Sequence, residues 1–304
     1  MRRILTILFL FLPLAVVAQD FDLNVVLMQT TYLLIGQGNT PGNKTLGTVF
    51  VMLRPFATQP EAGKTSGRLV LVTAAHVFEE MTGDNATLLL RTRQTNTGAW
   101  SRTPAKLSIR RNGHPLWSKL PNTDVAAMYV RWPLTADATV DTTFVPTTFL
   151  ADDESLRKFN VVGPGVELKV LGFPLGNPSN EIGFPILRTG VIASYPLLPT
   201  LSNRTFLLDF RVFQGNSGGP VYFSQPVIHG GSYMCCPPQF VMGLVSQEAL
   251  LSQPYAQLQL QLGQIIHASV IKATIDLLPA PETNEANEGA ALVELSPAQG
   301  IQQP

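Results

Sequence analysis

Cysteine is nearly absent from this 304-residue chain: there are two, Cys235 and Cys236, and they are adjacent. Two cysteines cannot build a disulfide framework, and neighbours in sequence bridge each other only in a strained ring. No histidine or acid follows them at ligand spacing, so they do not read as a metal site. Small apolar packing, a vicinal or intermolecular disulfide and a functional thiol all remain open for the pair. Charge is scarce too, at 14% of residues with a formal net charge of zero, and no stripe rich in Lys or Arg appears. Electrostatics therefore nominate neither a nucleic acid nor an anionic membrane as partner. Long amphipathic helices are also missing through the first 260 residues. With 45% hydrophobic residues, the composition is that of a globular protein rather than a disordered one.

One apolar run stands apart at the N-terminus. Met1-Arg2-Arg3 supplies a basic end, Ile4 to Val17 an apolar stretch interrupted by Pro13, and Val16-Val17-Ala18 a small-residue end. The pattern predicts a cleavable secretory signal over residues 1–18, the rival being an uncleaved anchor of a length short for a bilayer. The mature chain is then expected to be exported, periplasmic or secreted, with no integral membrane segment.

From Phe21 onward, short β-rich segments alternate with Gly, Pro, Asn and Thr. Val25–Leu34, Gly47–Leu53, Arg68–Thr73, Thr87–Arg93 and Val125–Val130 read as strands of a first barrel over residues 19–131, with Arg54–Arg68 an exposed hairpin loop. Residues 132–160, rich in Thr, Asp and Pro, read as a connection with a helical turn at Asp152–Arg157. Val166–Leu171, Arg188–Ser194, Thr205–Phe210, Val221–Ser224, Phe240–Val245 and Gln257–Leu262 predict a second barrel within residues 161–278. After Gly263, the apolar residues Ile265, Ile266, Val270, Ile271, Ile275 and Leu278 keep a helical spacing, which predicts a terminal helix docked on the barrels. Residues 279–304 hold four glutamates and no Lys or Arg, the composition of a disordered acidic tail.

The stretch that carries chemistry is FQGNSGGPVY, Phe213 to Tyr222. Ser217 lies among Gly215, Gly218 and Gly219, where the backbone can turn sharply and approach a ligand closely. The amides of Gly215 and Ser217 could both point at one oxyanion. Alone, the same letters describe a glycine-rich turn before a strand equally well. His76 ends the run LVLVTAAHVF, and a neutral imidazole is what a serine hydroxyl needs to lose its proton. Asp124, in NTDVAAMYV, stands before an apolar strand where it could hold the other ring nitrogen, or could cap the preceding turn. Asp84 and Asp137 lie in polar loops, and Asp209 alternates with Leu208 and Phe210 in a strand.

TAAHV, then TDVAAM, then GNSGGPV, in the order His, Asp, Ser, resembles the chymotrypsin-fold, trypsin-like serine peptidases over roughly residues 47–278. LGFPLG (Leu171 to Gly176) followed by RTGVIAS (Arg188 to Ser194), with the stretch FLADDESLRKF before them, resembles the bacterial HtrA/Deg-like branch. The resemblance implies an all-β fold of two six-stranded antiparallel barrels with a C-terminal helix. It also implies polypeptide substrates, no cofactor and no metal. By position, His76 becomes general base and acid, Asp124 the orienting carboxylate, Ser217 the nucleophile, and Gly215 and Ser217 the oxyanion hole. Gly243 to Ser246 resembles the strand that pairs with the substrate backbone. Arg211, Phe213 and Gln214, with Ser246, Gln247 and Glu248 opposite, would surround the primary pocket.

The departures from the family are specific. Digestive-type members have an aspartate before the serine that pairs with a freshly cut N-terminus; here that residue is Asn216, and no Ile-Val-Gly-Gly start is visible. HtrA proteins carry a PDZ domain, for which the stretch after Leu278 is too short. Arg211 either points inward, favouring an acidic residue before the scissile bond, or faces outward and pairs with Asp209 or Glu248. His114 and Trp117 read as loop residues, and His229 and His267 have no neighbours at metal spacing. Asn43, Asn85 and Asn203 begin N-x-T triplets that matter only in a glycosylating host. A catalytically silent domain that binds a peptide or protein is the second functional reading.

Overall fold

The computed structural model describes residues 22–40, 42–59, 65–94, 96–132, 138–139, 143–225, 238–250, 259–281 and 291–295. The leader at 1–18, Asp137, His229 and Cys235-Cys236 lie outside the described residues.

Strands dominate, as the alternating texture predicts. The first half contributes β1 (Thr31–Gln37), β2 (Lys44–Pro55), β3 (Gly67–Thr73), β4 (Thr82–Gln94), β5 (Trp100–Ser108) and β6 (Ala126–Arg131). The second contributes β7 (Glu167–Gly172), β8 (Ile186–Ile192), β9 (Thr205–Asp209), β10 (Pro220–Ser224), β11 (Gln239–Leu250) and β12 (Gln259–His267). A further strand, β13 (Ala291–Leu295), comes from the C-terminal tail. The second set closes into a six-stranded antiparallel barrel in the order β7-β8-β9-β12-β11-β10. This is the mostly-β architecture of a chymotrypsin-type fold, with few helices.

The first set also closes, because β1 pairs with both β2 and β4. Its ring runs β1-β2-β3-β6-β13-β5-β4, so β13 lies between β6 and β5, parallel to the former and antiparallel to the latter. Within the segment expected as a disordered tail, residues 291–295 form a strand; residues 282–290 and 296–304 lie outside the described residues. Ala291 and Val293 are buried between the two flanking strands, and their run, ALVEL, is a largely apolar five-residue stretch set in an acidic segment, too short to stand out as a strand. β5 was not predicted individually. Its Pro104 and polar residues mask the alternation that buries Ala105 and Leu107, and a proline ordinarily demotes a strand assignment.

Two other boundaries moved. Val25–Leu34 was expected as strand, but Leu23–Thr30 is a helix, α1, whose N-terminus is capped by the Asp22 carboxylate accepting from Asn24 N. Its buried residues Leu23, Val26, Leu27 and Thr30 recur at helical spacing, which the apolar run concealed. At the other end, Ile265 and Ile266 continue β12, and the terminal helix, α4, spans only Ala268–Ile275. Arg54 of β2 donates to the carbonyls of Ile275, Leu278 and Pro279, tying the end of α4 to the first barrel. The connection does contain the expected helical turn, α3 (Asp153–Lys158), closed by a capping box between Asp152 and Ser155.

Both barrels are stitched together around β2. Val49, Phe50, Val51 and Met52 are all fully buried. One side faces the barrel interior; the other lies under α1 and the turns at Thr147–Phe149 and Pro174–Gly176. Arg91 of β4 is buried between the rings of Tyr32 and Phe184 and donates to the carbonyls of Met28, Gln29, Thr31 and Gly183. One guanidinium thus satisfies the end of α1 and a loop of the second barrel together.

Candidate active site

β3 passes into Thr73-Ala74-Ala75 and then a short helix, α2 (Ala75–Glu79), which presents His76. Ala74, at the N-cap, has no side chain to satisfy the first amides of that helix. Asp124, just ahead of β6, the strand paired with β3, does so. Its carbonyl accepts from Ala75 N at 3.1 Å, and its Oδ1 accepts from His76 N at 2.8 Å. Its other oxygen, Oδ2, lies 2.8 Å from His76 Nδ1. Asp124 thus fixes the backbone and the ring of His76 together, rather than capping its own turn. Ser246 of β11 donates from Oγ to the same Oδ2 at 2.5 Å, a contact from the second barrel.

These contacts set the titration of the pair. Burial pushes the Asp124 carboxyl upward, but the bonds from His76 and Ser246 outweigh it and hold the group below the usual carboxylate range. Burial likewise pushes His76 down, and the Asp124 bond and charge, joined by Glu80 and Glu79, outweigh it and raise the imidazole above its ordinary value. Both side chains are about a third exposed, so the imidazole stays accessible from the cleft.

Ser217 sits on a tight loop whose carbonyls are all occupied. Gln214 O accepts from Leu175 N at 2.7 Å, Asn216 O from Gly219 N at 2.9 Å, and Ser217 O from Thr48 N at 2.8 Å. Gly215 O accepts from Thr48 Oγ1 at 2.6 Å. In a trans peptide the N–H points opposite to the preceding C=O. The amides of Gly215 and Ser217 are therefore turned away from Leu175 and Gly219, and among the described residues neither donates to a protein acceptor. Asn216, 1% exposed, closes the loop by accepting from Phe213 N through Oδ1 at 2.9 Å. A neutral amide occupies this position, and it bonds within its own loop.

Gly218, at φ +86°, presses against the strand end that leads to His76; a Cβ there would collide with Thr48 O and Thr73 Oγ1. This approach brings the serine loop and the histidine segment together. Among the described residues no hydrogen bond joins Ser217 Oγ to His76. Resting catalytic contacts of this kind often tighten only when substrate binds.

The remaining pocket residues are distributed unevenly. A cleft of about 610 Å³ opens beside His76 and Asp124, with Asn122, Arg204, Ser246 and Gln247 among its walls; Ser217 is not one of them. Arg211 is exposed and stacks 4.9 Å above the Phe213 ring, while its carbonyl accepts from Arg188. Among the described residues it forms no ion pair with Asp209 or Glu248. Gln214 is exposed and Glu248 half-buried. His114 is exposed, and Trp117 packs on Phe78 at 4.9 Å.

Sequence reasoning missed two contributors. Thr48 is a single hydroxyl in the apolar strand segment GTVFV, and that isolation was its only signal. Ser246 does line the cleft, but nothing in the sequence signalled that its hydroxyl also donates to the Asp124 carboxylate. Among the described residues no cluster of three or more His, Cys, Asp or Glu side chains could hold a metal ion, and no helix is long and apolar enough to cross a membrane.

Among solved structures, the chain is similar to the MamO protease domain from Magnetospirillum magneticum in its apo form. The identity is 14%, with 83% of this chain and 98% of that one covered, at a TM-score of 0.43. It is also similar to the protease Anisep from Arthrobacter nicotinovorans, at 12% identity, 83% and 96% coverage and a TM-score of 0.45. No curated protein matches it. The trypsin family model matches residues 63–249, more than half of the chain and a span that includes His76, Asp124 and Ser217, and the chain belongs to that family.

Proposed function

We propose that this trypsin-family chain is an active serine endopeptidase. His76 acts as general base and acid, Asp124 orients it, Ser217 is the nucleophile, and the Gly215 and Ser217 amides receive the oxyanion. The observation that carries this reading is the double hold of Asp124 on His76, at 2.8 Å to the backbone amide and 2.8 Å to Nδ1. That hold leaves Nε2 as the free ring nitrogen. Ser217 Oγ attacks the peptide carbonyl as Nε2 takes its proton, and the imidazolium, stabilised by Asp124, passes that proton to the leaving amine. Water then repeats the sequence on the acyl-enzyme. Export through the leader and kinship with the HtrA/Deg-like branch belong to the same proposal and rest on sequence motifs alone.

The test is a fluorophosphonate probe at pH 8, expected to label the protein covalently and to leave Ser217→Ala unmodified. The lack of a hydrogen bond between Ser217 Oγ and His76 among the described residues favours the second reading, a silent peptide-binding domain. Equal absence of labelling in both forms would establish that reading instead. The pH dependence is a second check. Activity requires neutral His76, so it rises with pH and reaches half its maximum above pH 6.5, because Asp124 raises the imidazole. A midpoint below 6.5 would remove His76 from the role of base.

A further inference from the structure

The serine loop is held from the opposite barrel by one side chain. Thr48, on β2 of the first barrel, is fully buried and makes four contacts around the loop. Its amide donates to Ser217 O at 2.8 Å and its hydroxyl to Gly215 O at 2.6 Å. The same hydroxyl accepts from Phe173 N at 3.3 Å, and the Thr48 carbonyl accepts from Thr73 Oγ1 at 2.8 Å. Phe173 begins the turn in which Leu175 N holds Gln214 O at 2.7 Å. Leu175 adopts φ +54°, the left-handed region, while 61% exposed. A leucine held there without burial indicates that the turn is fixed by its hydrogen bonds rather than by the side chain.

We infer that the Thr48 hydroxyl is a positioning group for the oxyanion-binding amides, holding the Gln214–Gly215 and Gly215–Asn216 peptides in the orientation that turns Gly215 N–H toward the cleft. The inference rests on the endopeptidase reading above and deepens it. The physical logic is one of alternatives. Gly215, at φ +91°, has no side chain to oppose a flip of its flanking peptides. A flipped Gln214–Gly215 unit would aim a carbonyl oxygen where a donor is needed. Leu175 N on Gln214 O resists that flip directly, and Thr48 Oγ1 on Gly215 O fixes the adjoining Gly215–Asn216 peptide against which it would turn. The hydroxyl joins them, because it grips the Phe173 turn and the serine loop together. In this chain the grip passes through a neutral threonine and the internal amide of Asn216, so the docking of the two barrels sets the loop.

The experiment compares the wild type, Thr48→Val and Thr48→Ser. Fluorophosphonate labelling is analysed for its maximal rate and its half-saturating concentration separately, and thermal midpoints are recorded for all three. Thr48→Val keeps the shape and the backbone amide but removes the hydroxyl. Its maximal labelling rate is expected to fall about ten- to hundredfold, somewhat less than deletion of an oxyanion donor, with half-saturation changed less than about threefold. Peptide aldehydes, whose adduct places an oxyanion in the same site, should lose affinity in parallel. Thr48→Ser restores the hydroxyl and should label within about threefold of wild type, although it loses a buried methyl and some thermal stability. Equal labelling by Val and Ser variants, with the wild type reactive, would overturn the positioning role and leave the endopeptidase reading intact. So would a rate loss in both that follows their thermal midpoints. An unreactive wild type would overturn both.

Discussion

All six strands of the second barrel come from one continuous run, residues 167–267, while the first barrel draws six from residues 31–131 and a seventh from Ala291–Leu295. The barrel that carries Ser217 closes with its own strands. The barrel that carries His76 and Asp124 closes only when the end of the chain returns to lie beside β6, the strand that begins just after Asp124. Closure by a distant segment costs more loop entropy and comes late in any folding route. The half that holds His76 and Asp124 is therefore the one whose integrity depends on the tail.

Ending the chain at Pro281 breaks the comparison most directly. It removes the buried Ala291 and Val293 and leaves Ala105–Leu107 of β5 and Val130–Arg131 of β6 without the ladder partners that β13 supplies. The expected loss is about 3 to 5 kcal/mol, from apolar burial and unpaired backbone groups together. In urea, the transition reported by Trp100, Trp117 and Trp132, all in or beside the first barrel, should shift to lower denaturant. A probe placed in the second barrel should move less. Val293→Asp at full length should reproduce most of the effect. A truncated protein with an unchanged tryptophan transition would show that β13 is an ornament on a barrel closed by β5 and β6 alone.

Histidines sharpen the contrast, because each barrel holds one whose titration is shifted, and the two shifts have opposite sign. His267, 1% exposed beside the Phe206 ring, has no partner for Nε2 among the described residues. Burial pushes it down to about 4, only partly opposed by the charge of Asp153. The unfolded chain binds that proton near pH 6.5 and the folded one near 4, so stability is complete above 6.5 and is lost as pH falls toward 4. The loss is on the order of 3 kcal/mol. His76 is raised, so its contribution is present below 6.5 and is lost as pH rises through its folded value. His267→Phe should flatten the acid side of the stability profile between pH 6.5 and 4, measured by urea midpoints. An unaltered slope would assign the acid loss to other groups.

How much of this was legible in the sequence follows from the range of the interactions. The order His76, Asp124, Ser217 could be read because each residue sits in a local signature: small residues before the imidazole, an acid before an apolar strand, glycines around the serine. Second-barrel strands could be read because they pair with near neighbours. β13 could not, since it is a largely apolar five-residue run in an acidic tail and its partners lie about 160 residues or more away. α1 could not be told from a strand because an apolar run supports both periods, and the choice is made by Asn24, which accepts from Lys169 and Tyr222 in the second barrel. Thr48 and Ser246 were opaque for the same reason. A hydroxyl in an apolar strand shows no preference until the opposite barrel brings a carbonyl or a carboxylate to it.

Ser246→Ala is the smallest change that still separates the barrels. The first barrel supplies both His76 and Asp124; the second reaches that pair through the Ser246 hydroxyl on Asp124 Oδ2, the oxygen that also faces His76 Nδ1. Removing one charge-assisted bond costs about 1 to 2 kcal/mol where it acts. The backbone hold of Asp124 on Ala75 and His76 is untouched, so His76 stays placed, and turnover should fall only about three- to tenfold. The sharper readout is the acid side of the profile. Asp124 is held below its ordinary range partly by this bond, so its contribution to stability, present above about pH 4 and lost as pH falls through its folded value, should begin to fail at higher pH in the variant. A variant with wild-type turnover and an unshifted acid limb would mean that the first barrel orients its histidine unaided, and that the second contributes the nucleophile and nothing more to the charge network.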